Sequence, residues 1–239
     1  MNKIVLITGG SRGIGEVTAL TFARAGYGVA ITYKSNIEGA SKVVAEIEKL
    51  GCVALAVRAD LINESEAKAS VEAVMSKFGR IDVLVNNVGH YTNGDEWNGP
   101  AEIWTKSLQE NLITMMNTSK YVIETFLKQN SGVMINISSK FALSGNYEEL
   151  AYGAAKAGVI NITQAYSKLL KNFGRANCVS PHSVQSGYWL TAPKDEMDAM
   201  LKTLPNGKFV DPQSIANKIL FLASDEAKNI NGQNFEIKE

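Results

Sequence analysis

The sequence is short of cysteine and carries no surplus of charge, and both shortages limit what the protein can do. Its two cysteines, Cys52 and Cys178, each lie in an apolar run without CxxC spacing. This pattern predicts buried, reduced thiols and argues against a disulfide or a metal site. The 24 basic residues balance 24 acidic ones, and no block of like charges occurs. Neither a nucleic-acid-binding surface nor a basic membrane patch is indicated, so we expect a small-molecule partner.

Long apolar runs are also missing from the sequence. No stretch approaches the length needed to cross a membrane, and the amino terminus reaches glycines too soon for the apolar region of a signal peptide. No internal repeat, low-complexity segment or linker divides the chain. With 239 residues, of which 45% are apolar, the sequence predicts a single domain over residues 1–239 in a cytoplasmic protein.

The first motif is a glycine-rich loop between a predicted strand, Ile4 to Thr8, and a predicted helix that runs to about Ala25. Glycines at positions 9, 13 and 15 let the backbone approach a pyrophosphate, while the helix directs its free amide groups and dipole at the negative charge. The spacing G-x-x-x-G-x-G differs from the commoner G-x-G-x-x-G, and a glycine loop alone is a weak signal. Because strand and helix both flank it, we predict a dinucleotide site.

The end of the second predicted strand, Gly28 to Tyr33, bears on the choice between NAD and NADP. A dinucleotide fold that prefers NAD places a carboxylate there on the adenosine ribose, whereas this chain has Lys34. Together with Arg12 of the glycine loop, this lysine favours the additional phosphate of NADP(H), because cations suit that anion. The alternative is that both cations are merely solvated and Glu38 supplies the carboxylate.

A stretch in the middle of the chain carries residues suited to acid–base chemistry. A predicted strand, Val133 to Ile137, leads to Ser139, and a following helix places Tyr152 and Lys156 one turn apart on the same face. A tyrosine with an unperturbed pKa near ~10 is a poor acid or base at neutral pH. We expect the Lys156 charge to lower that pKa. The alternative is a packed phenol beside a solvated lysine.

The rest of the chain alternates strands and helices. The remaining strands are predicted at Cys52–Val57, Ile81–Val85, Ala176–Ser180 and Gln233–Ile237, with helices at 63–78, from Pro100 onward and from Asp211-Pro212. Asn111, in the helical stretch after Pro100, is either functional or a buried amide bonded to backbone. Residues 187–208 break the alternation with a short, mobile helix that would form a substrate lid, or with an ordinary surface helix. His182 is either a loop residue or a substrate contact.

Taken in order along the chain, the motifs resemble the short-chain dehydrogenase/reductase family. They are Thr8-Gly9-x-x-x-Gly13-x-Gly15, Asp60, Asn86-Asn87-Val88-Gly89, Asn111, Ser139 and Tyr152-x-x-x-Lys156, and they cover essentially the whole chain. The segment from Leu220 to Ala227 is similar to the bacterial branch that reduces 3-oxoacyl groups on acyl carrier protein.

The resemblance implies an α/β fold, a Rossmann-type doubly wound parallel sheet of seven strands with helices on both faces. It also implies a catalytic tetrad, in which Tyr152 donates the proton, Ser139 holds the carbonyl oxygen, Lys156 binds the nicotinamide ribose and Asn111 supports a proton-relay water. The cofactor, NADP(H) in preference to NAD(H), would contact Gly9, Ser11, Arg12, Gly13, Ile14, Gly15, Lys34, Ser35, Asp60, Leu61, Asn87, Gly89, Tyr152, Lys156, Pro181, Val184 and Ser186. No metal is required.

The resemblance further implies a carbonyl reductase, with 3-oxoacyl thioesters as the leading substrate class. A small ketone, a sugar or a cyclic alcohol is the alternative substrate, and a non-catalytic NADP(H) sensor is the alternative protein on the same fold. A homotetramer or homodimer is expected, and Gly153, Ala154, Ala155, Ala157 and Gly158 would let a helix of another subunit approach closely.

Three places depart from the family pattern. Val88 stands where alanine is usual, His182-Ser183 stand where glycine and an apolar residue are usual, and the tail reads Phe235-Glu236-Ile237 without the usual Val-Asp-Gly-Gly. These departures bear on the substrate pocket and on the subunit contacts.

Overall fold

A computed structural model describes residues 2–186, 189, 192–204 and 207–238. The strands are β1 Ile4–Ile7, β2 Gly28–Tyr33, β3 Ala54–Arg58, β4 Val83–Asn86, β5 Gly132–Ile137, β6 Gly174–Pro181 and β7 Asn234–Ile237. The helices are α1 Gly13–Arg24, α2 Ile37–Lys49, α3 Glu64–Phe78, α4 Ala101–Leu108, α5 Thr114–Gln129, α6 Phe141–Ser144, α7 Leu150–Leu170, α8 Lys194–Thr203 and α9 Pro212–Ala223. A π-helical turn, Gln109–Ile113, joins α4 to α5.

The seven strands form one parallel sheet in the order β3-β2-β1-β4-β5-β6-β7. β2 and β3 lie on one side of β1 and β4 to β7 on the other, so β1 and β4 lie side by side although they are far apart in sequence. In sheets of this kind this reversal of strand order opens a crevice at the carboxyl ends of the strands, where ligands bind. The predicted doubly wound fold is confirmed.

Alternate residues of the strands enter two separate apolar layers. Val5 and Ile7 belong to a core cluster with α1, α2 and α9, whereas Ile4 and Leu6 belong to a cluster with α3 and α5. Because both faces of the strands are buried, the strands read in sequence as continuous apolar runs. Helices therefore cover both faces of the sheet, as predicted.

All seven predicted strands are present, with bounds within about two residues of those expected from the sequence. The last helix begins as predicted, because the Asp211 side chain accepts a hydrogen bond from the Gln213 amide and Pro212 occupies the first turn. Cys178 is buried as expected and both cysteines are free, but Cys52 is only partly buried, since it follows the end of α2 near the surface.

Only part of the predicted small-residue face of α7 points outward. Ala154 and Ala157 are exposed, but Gly153 and Ala155 are buried, because they pack inward beneath α6 and the sheet. Gly158 is half-buried against α4–α5, where an added Cβ would come within 3.1 Å of Leu112. The face available to another subunit is therefore narrower than the sequence suggested.

The predicted lid segment, residues 187–208, contains α8, whose Met197, Met200 and Leu201 are half-buried. Residues 187, 188, 190, 191, 205 and 206 of that segment lie outside the described part of the chain. Within the described residues, no helix is long and apolar enough to cross a membrane. No group of three or more His, Cys, Asp or Glu side chains among them could hold a metal ion.

Candidate active site

The glycine loop is held closed by the polar motif that follows β4. The Asn87 side-chain amide donates to the carbonyl oxygens of Thr8 and Gly9, at 3.0 and 3.2 Å, and the Asn87 backbone amide donates to the Thr8 hydroxyl at 2.9 Å. Gly9 and Gly13 have positive φ angles of 67° and 58°. An added Cβ at Gly15 would collide with the Gly9 carbonyl oxygen. The loop therefore has the tight turn and open backbone that a dinucleotide pyrophosphate requires.

The residues expected near the adenosine meet at the carboxyl ends of β2 and β3. The Lys34 ammonium lies 2.8 Å from the Asp60 carboxylate, and this hydrogen bond raises the pKa of Lys34. Leu61 is buried beside them, whereas Arg12, Ser35 and Glu38 are exposed. The structure thus joins Lys34 to Asp60, a pairing that the sequence did not predict.

Arg58, at the end of β3, is a further cation that the sequence analysis overlooked. Its guanidinium Nε donates to the Lys34 carbonyl oxygen at 3.3 Å, so a second positive side chain lies at the end of β2. The signal was available in the sequence, because Arg58 ends an otherwise apolar strand.

The four candidate catalytic residues come together from three elements. Ser139 follows β5, and its hydroxyl lies close enough to the Tyr152 phenol to lower the pKa of that phenol, while Tyr152 and Lys156 occupy the first two turns of α7. The Lys156 ammonium is buried, donates to the Ile137 carbonyl oxygen at 3.0 Å and lies 5.8 Å from the centre of the Tyr152 ring. Lys156 is thus a buried cation beside the phenol, so the solvated-lysine alternative is wrong.

Gly89 leaves an opening between Asn111 and Lys156. An added Cβ at Gly89, whose φ is +152°, would lie 2.5 Å from Asn111 Oδ1 and 2.6 Å from Lys156 Nζ. A buried amide oxygen and a buried ammonium therefore face the same small space. Only glycine keeps that space open to a ligand.

Asn111 lies in the π-helical turn and is fully buried. Its side-chain NH₂ donates to the His90 and Ser107 carbonyl oxygens, at 2.9 and 3.0 Å. Its Oδ1 is buried and has no hydrogen-bond partner among the described residues. The backbone-bonded alternative thus accounts for the nitrogen of this amide only, and the orphaned oxygen is free to accept a hydrogen bond from a ligand or water.

Burial is the largest influence on the pKa values of Tyr152 and Lys156. Burial raises the pKa of Tyr152 to about 12, against a smaller lowering from the Ser139 hydrogen bond. Burial also lowers the pKa of Lys156 to about 8. The tyrosine pKa is therefore raised and not lowered as expected, because burial withdraws the phenolate from water, and Lys156 is not among the causes of the shift.

The segment after β6 returns over the glycine loop. Val184 pairs with Val210 in an isolated parallel bridge, and an added Cβ at Gly13 would lie 3.5 Å from the Ser186 side chain. Pro181 lies at the end of β6, and its carbonyl oxygen accepts a hydrogen bond from the Lys140 amide at 3.0 Å. The structure thus brings residues 181–186 to the same edge of the sheet as Ser139 and Gly13.

Two of the three departures from the family pattern contact each other. His182 Nε2 lies 2.5 Å from Glu236 Oε1, and the other oxygen of Glu236 lies 2.9 Å from the Lys238 ammonium. The imidazole therefore points towards the end of β7, not towards Tyr152, and this supports the interpretation of His182 as a loop residue. Val88, the third departure, packs against the small apolar cluster around Leu61.

Comparisons with known proteins agree with this geometry. Residues 9–238 match the family described as enoyl-(acyl carrier protein) reductase. The chain is 37% identical to a 3-oxoacyl-[acyl-carrier-protein] reductase, FabG, of Staphylococcus epidermidis, over 99% of this chain and 98% of the relative. Among solved structures, an actinorhodin polyketide ketoreductase with NADPH matches with a TM-score of 0.92 and 26% identity, covering 99% of this chain and 94% of its own. An NAD⁺-bound xylitol dehydrogenase matches with a TM-score of 0.91 and 26% identity, covering 98% and 97%.

Proposed function

Because the chain belongs to the short-chain dehydrogenase/reductase family, whose members use a nicotinamide cofactor on CH–OH and C=O groups, we propose that it reduces 3-oxoacyl thioesters with NADPH. The full-length likeness to 3-oxoacyl-[acyl-carrier-protein] reductases supports this substrate class. The observation that carries the chemistry is the buried pair of Asn111 and Lys156 at the opening beside Gly89, with Tyr152 next to Lys156 and Ser139 next to Tyr152.

The environments of the four residues support the roles that we propose for them. The nicotinamide, when bound, supplies the hydride for the carbonyl carbon. Tyr152 donates its proton to the oxygen that becomes the alkoxide, and Ser139, whose hydroxyl is close enough to lower the pKa of that phenol, holds the same oxygen. A phenol whose pKa is about 12 keeps its proton at neutral pH, so Tyr152 is in the protonated form that can donate.

The opening at Gly89 supports the proposed contacts with the cofactor and with water. Lys156 Nζ faces that opening and would bind the ribose hydroxyls of the nicotinamide half. Asn111 Oδ1, the orphaned acceptor, would hold the water that returns a proton towards Lys156 and Tyr152. Within the glycine loop, the first-turn amides of α1 from Gly13 to Gly15 would receive the pyrophosphate.

The preference for NADP(H) rests on positive charge at the end of β2. We propose that Lys34 and Arg12 bind the 2′-phosphate and that Arg58 adds a third cation there. The Lys34 ammonium can contact a phosphate while it remains paired with Asp60, because the lysine side chain is 61% accessible. Glu38, exposed in the first turn of α2, is the residue that would support NAD(H) instead.

A second substrate class is favoured by Lys140, which directly follows Ser139. Its half-buried ammonium donates to the Ser183 hydroxyl at 3.0 Å and forms no ion pair within the described part of the chain. Burial lowers the pKa of Lys140, as expected for a cation that lacks full compensation. A small ketone with a carboxylate or phosphate near its carbonyl would supply the missing negative charge.

We also propose that the chain folds as one domain with residues 187–208 as a lid, and that it assembles as a homotetramer or homodimer. The half-buried apolar side chains of α8 support the lid, and the exposed small residues of α7 support the assembly.

The test is oxidation of NADPH, followed by nicotinamide absorbance, with acetoacetyl thioesters, carboxylate-bearing ketones, uncharged cyclic ketones and keto sugars, and with NADH in parallel. Selective turnover of the thioesters is expected. Turnover confined to the anionic ketones would favour the second substrate class, and tight NADPH binding without turnover of any carbonyl would indicate the non-catalytic sensor.

Tyr152→Phe is the internal control for the catalytic assignment. Removing the hydroxyl deletes the proton donor, so kcat should fall at least about 100-fold, while NADPH affinity stays within about twofold. A variant with wild-type kcat would refute the role given to Tyr152.

A further inference from the structure

Asp95 is a fully buried carboxylate that none of the roles above uses. It lies in the segment between β4 and α4, and its two oxygens accept hydrogen bonds from the first turn of α7. Oδ1 accepts from the Ala151 amide at 3.0 Å, and Oδ2 accepts from the Tyr152 amide at 2.7 Å. The backbone of the proposed proton donor is thus bonded directly to a residue 57 positions earlier in the chain.

The helix α7 depends on Asp95 because it lacks a side-chain cap of its own. Glu149, at the N-cap position, makes no capping hydrogen bond with its side chain. The Leu150 amide donates to the Asp95 carbonyl oxygen at 2.8 Å. Asp95 therefore accepts the hydrogen bonds of three successive amides that an α-helix leaves without internal partners. Its negative charge also lies at the positive end of the helix dipole.

The same carboxylate reaches the turn that holds Asn111. The Ser107 hydroxyl donates to Asp95 Oδ2 at 3.0 Å, and the Ser107 carbonyl oxygen accepts from the Asn111 side chain at 3.0 Å. Ser107 and Asn111 are both fully buried. A continuous chain of hydrogen bonds therefore runs from the Tyr152 backbone through Asp95 and Ser107 to the Asn111 amide.

We propose that Asp95 is a positioning residue that fixes Tyr152 and Asn111 relative to each other across the site. The proposal rests on the proposed function for its catalytic consequence, and on the hydrogen bonds alone for its structural part. Both carboxylate oxygens must accept, since each receives a backbone amide. Asparagine has one acceptor oxygen and would turn an NH₂ group towards the other amide. A displacement of about 1 Å at a reacting group can cost on the order of 100-fold in rate.

The experiment compares Asp95→Asn with Asp82→Asn in the full chain. Asp82 is a matched control, because it is also buried and accepts a backbone amide, that of Ile4 at 2.7 Å, but it lies before β4 at the opposite end of the sheet. Both variants should lower the Tm. Only Asp95→Asn should lower kcat, by at least about tenfold, with the NADPH Kd within about twofold of wild type.

Ser107→Ala tests the connection to Asn111. It removes the hydroxyl donor to Asp95 and leaves the Ser107 carbonyl in place. It should lower kcat by less than Asp95→Asn does. Added to Asp95→Asn, it should cause little further loss, because residues of one hydrogen-bonded network are not additive.

Amide hydrogen exchange at the first turn of α7, measured without substrate, tests the structural part separately. Exchange at Ala151 and Tyr152 should be faster in Asp95→Asn than in wild type or Asp82→Asn. Unchanged exchange would overturn the proposal, and so would faster exchange with kcat within twofold of wild type. If the wild-type protein binds NADPH but reduces no carbonyl, the proposed function fails, and the exchange measurement still decides whether Asp95 holds Tyr152.

Discussion

Two carboxyl groups flank the first turn of α7, and they differ in how many hydrogen bonds offset the cost of their burial. Asp95 accepts hydrogen bonds from two backbone amides and a hydroxyl. The Glu149 side chain makes no capping hydrogen bond, and burial raises its pKa from 4.5 to about 7, against a lowering by Lys140 and with smaller raising by Asp95 and Glu148. The structure therefore tolerates a negative charge at Asp95 and resists one at Glu149.

Glu149→Gln should stabilise the protein in a manner that depends on pH. Between pH 4.5 and about 7 the folded protein holds a proton on Glu149 that the unfolded chain has lost. The free energy of unfolding therefore falls as pH rises through that window. Glutamine removes this loss, so the Tm advantage of the variant should be small near pH 5 and should grow up to pH 8. Thermal unfolding across that range measures it, with Glu148→Gln at the exposed neighbour as control; an advantage that does not vary with pH would contradict the assignment.

Replacement of Lys34 by aspartate should shift cofactor preference towards NADH. The change removes a cation from the end of β2 and sets a second carboxylate beside Asp60, which would repel a 2′-phosphate and could accept ribose hydroxyls. Losing one charge-assisted hydrogen bond costs about 1.5–3 kcal/mol, so the NADPH to NADH ratio of kcat/KM should fall at least about tenfold. Lys49→Asp, on the exposed end of α2, should leave the ratio unchanged. An unchanged ratio in the Lys34 variant would direct attention to Glu38.

Local spacing predicted where Ser139, Tyr152 and Lys156 lie, because a strand end and one helical turn determine the positions of those side chains. The spacing did not mark them as catalytic, since that assignment came from the resemblance along the whole chain. Spacing was also not sufficient to predict the pKa of Tyr152. That pKa is set mainly by burial in the folded protein, which spacing along the chain does not reveal. The role of Asp95 could not be predicted from the sequence either. The two backbone amides that it accepts from lie 56 and 57 positions away, and no local pattern marks them.

Two helices begin with the same kind of cap in different settings. Asn63 Oδ1 accepts from the Ser65 amide at the start of α3, and Asn36 Oδ1 accepts from the Gly39 amide at the start of α2. Asn36 also donates from its side chain to the Ser11 carbonyl oxygen at 3.2 Å, so it ties α2 to the glycine loop. The further side-chain bonds of Asn63, with the Ser65 hydroxyl at 2.8 Å and with Glu66 at 3.3 Å, stay within the start of its own helix, so only the Asn36 cap reaches the glycine loop.

Asn36→Ala and Asn63→Ala should separate helix capping from cofactor binding. Each substitution removes a cap and should cost about 1 kcal/mol of folding free energy, measured by urea unfolding. Only Asn36→Ala should weaken NADPH binding, because it also frees the carbonyl of Ser11 in the loop that would receive the pyrophosphate. Titration of NADPH by fluorescence checks this, and equal affinity in the two variants would show that the loop does not need the tether.

The π-helical turn could not be predicted from the pattern of apolar residues. Leu112, Ile113 and Met115 continue an ordinary helical pattern around Asn111, so the stretch after Pro100 reads as one helix. In the structure the Asn111 side chain takes the Ser107 carbonyl oxygen, four residues earlier, which is the acceptor that its own backbone amide would use in an α-helix. A side chain inserted into the hydrogen-bond ladder distorts the helix there.

Across the molecule, α7 and the stretch from α4 to α5 share an apolar contact and also present apolar side chains to solvent. Leu112 packs against Gly158, while Met116 and Leu169 are 38% and 52% exposed. Exposed apolar side chains on neighbouring helices are typical of a surface that packs against another chain. The proposed homotetramer or homodimer would bury this surface.

Ala157→Arg should therefore reduce the size of the assembly. Ala157 is exposed on α7, so the substitution should not disturb the core, but it places a long cation where a neighbouring helix would pack. Sedimentation velocity should show a wild-type species well above the 25.9 kDa of one chain and a smaller species for the variant. Ala69→Arg, at an exposed position of α3 in the same kind of helical setting, should sediment like wild type. Circular dichroism would verify that both variants are folded. A wild-type protein of 25.9 kDa would refute the assembly itself, whereas an Ala157 variant of unchanged size would move the subunit contact to another face.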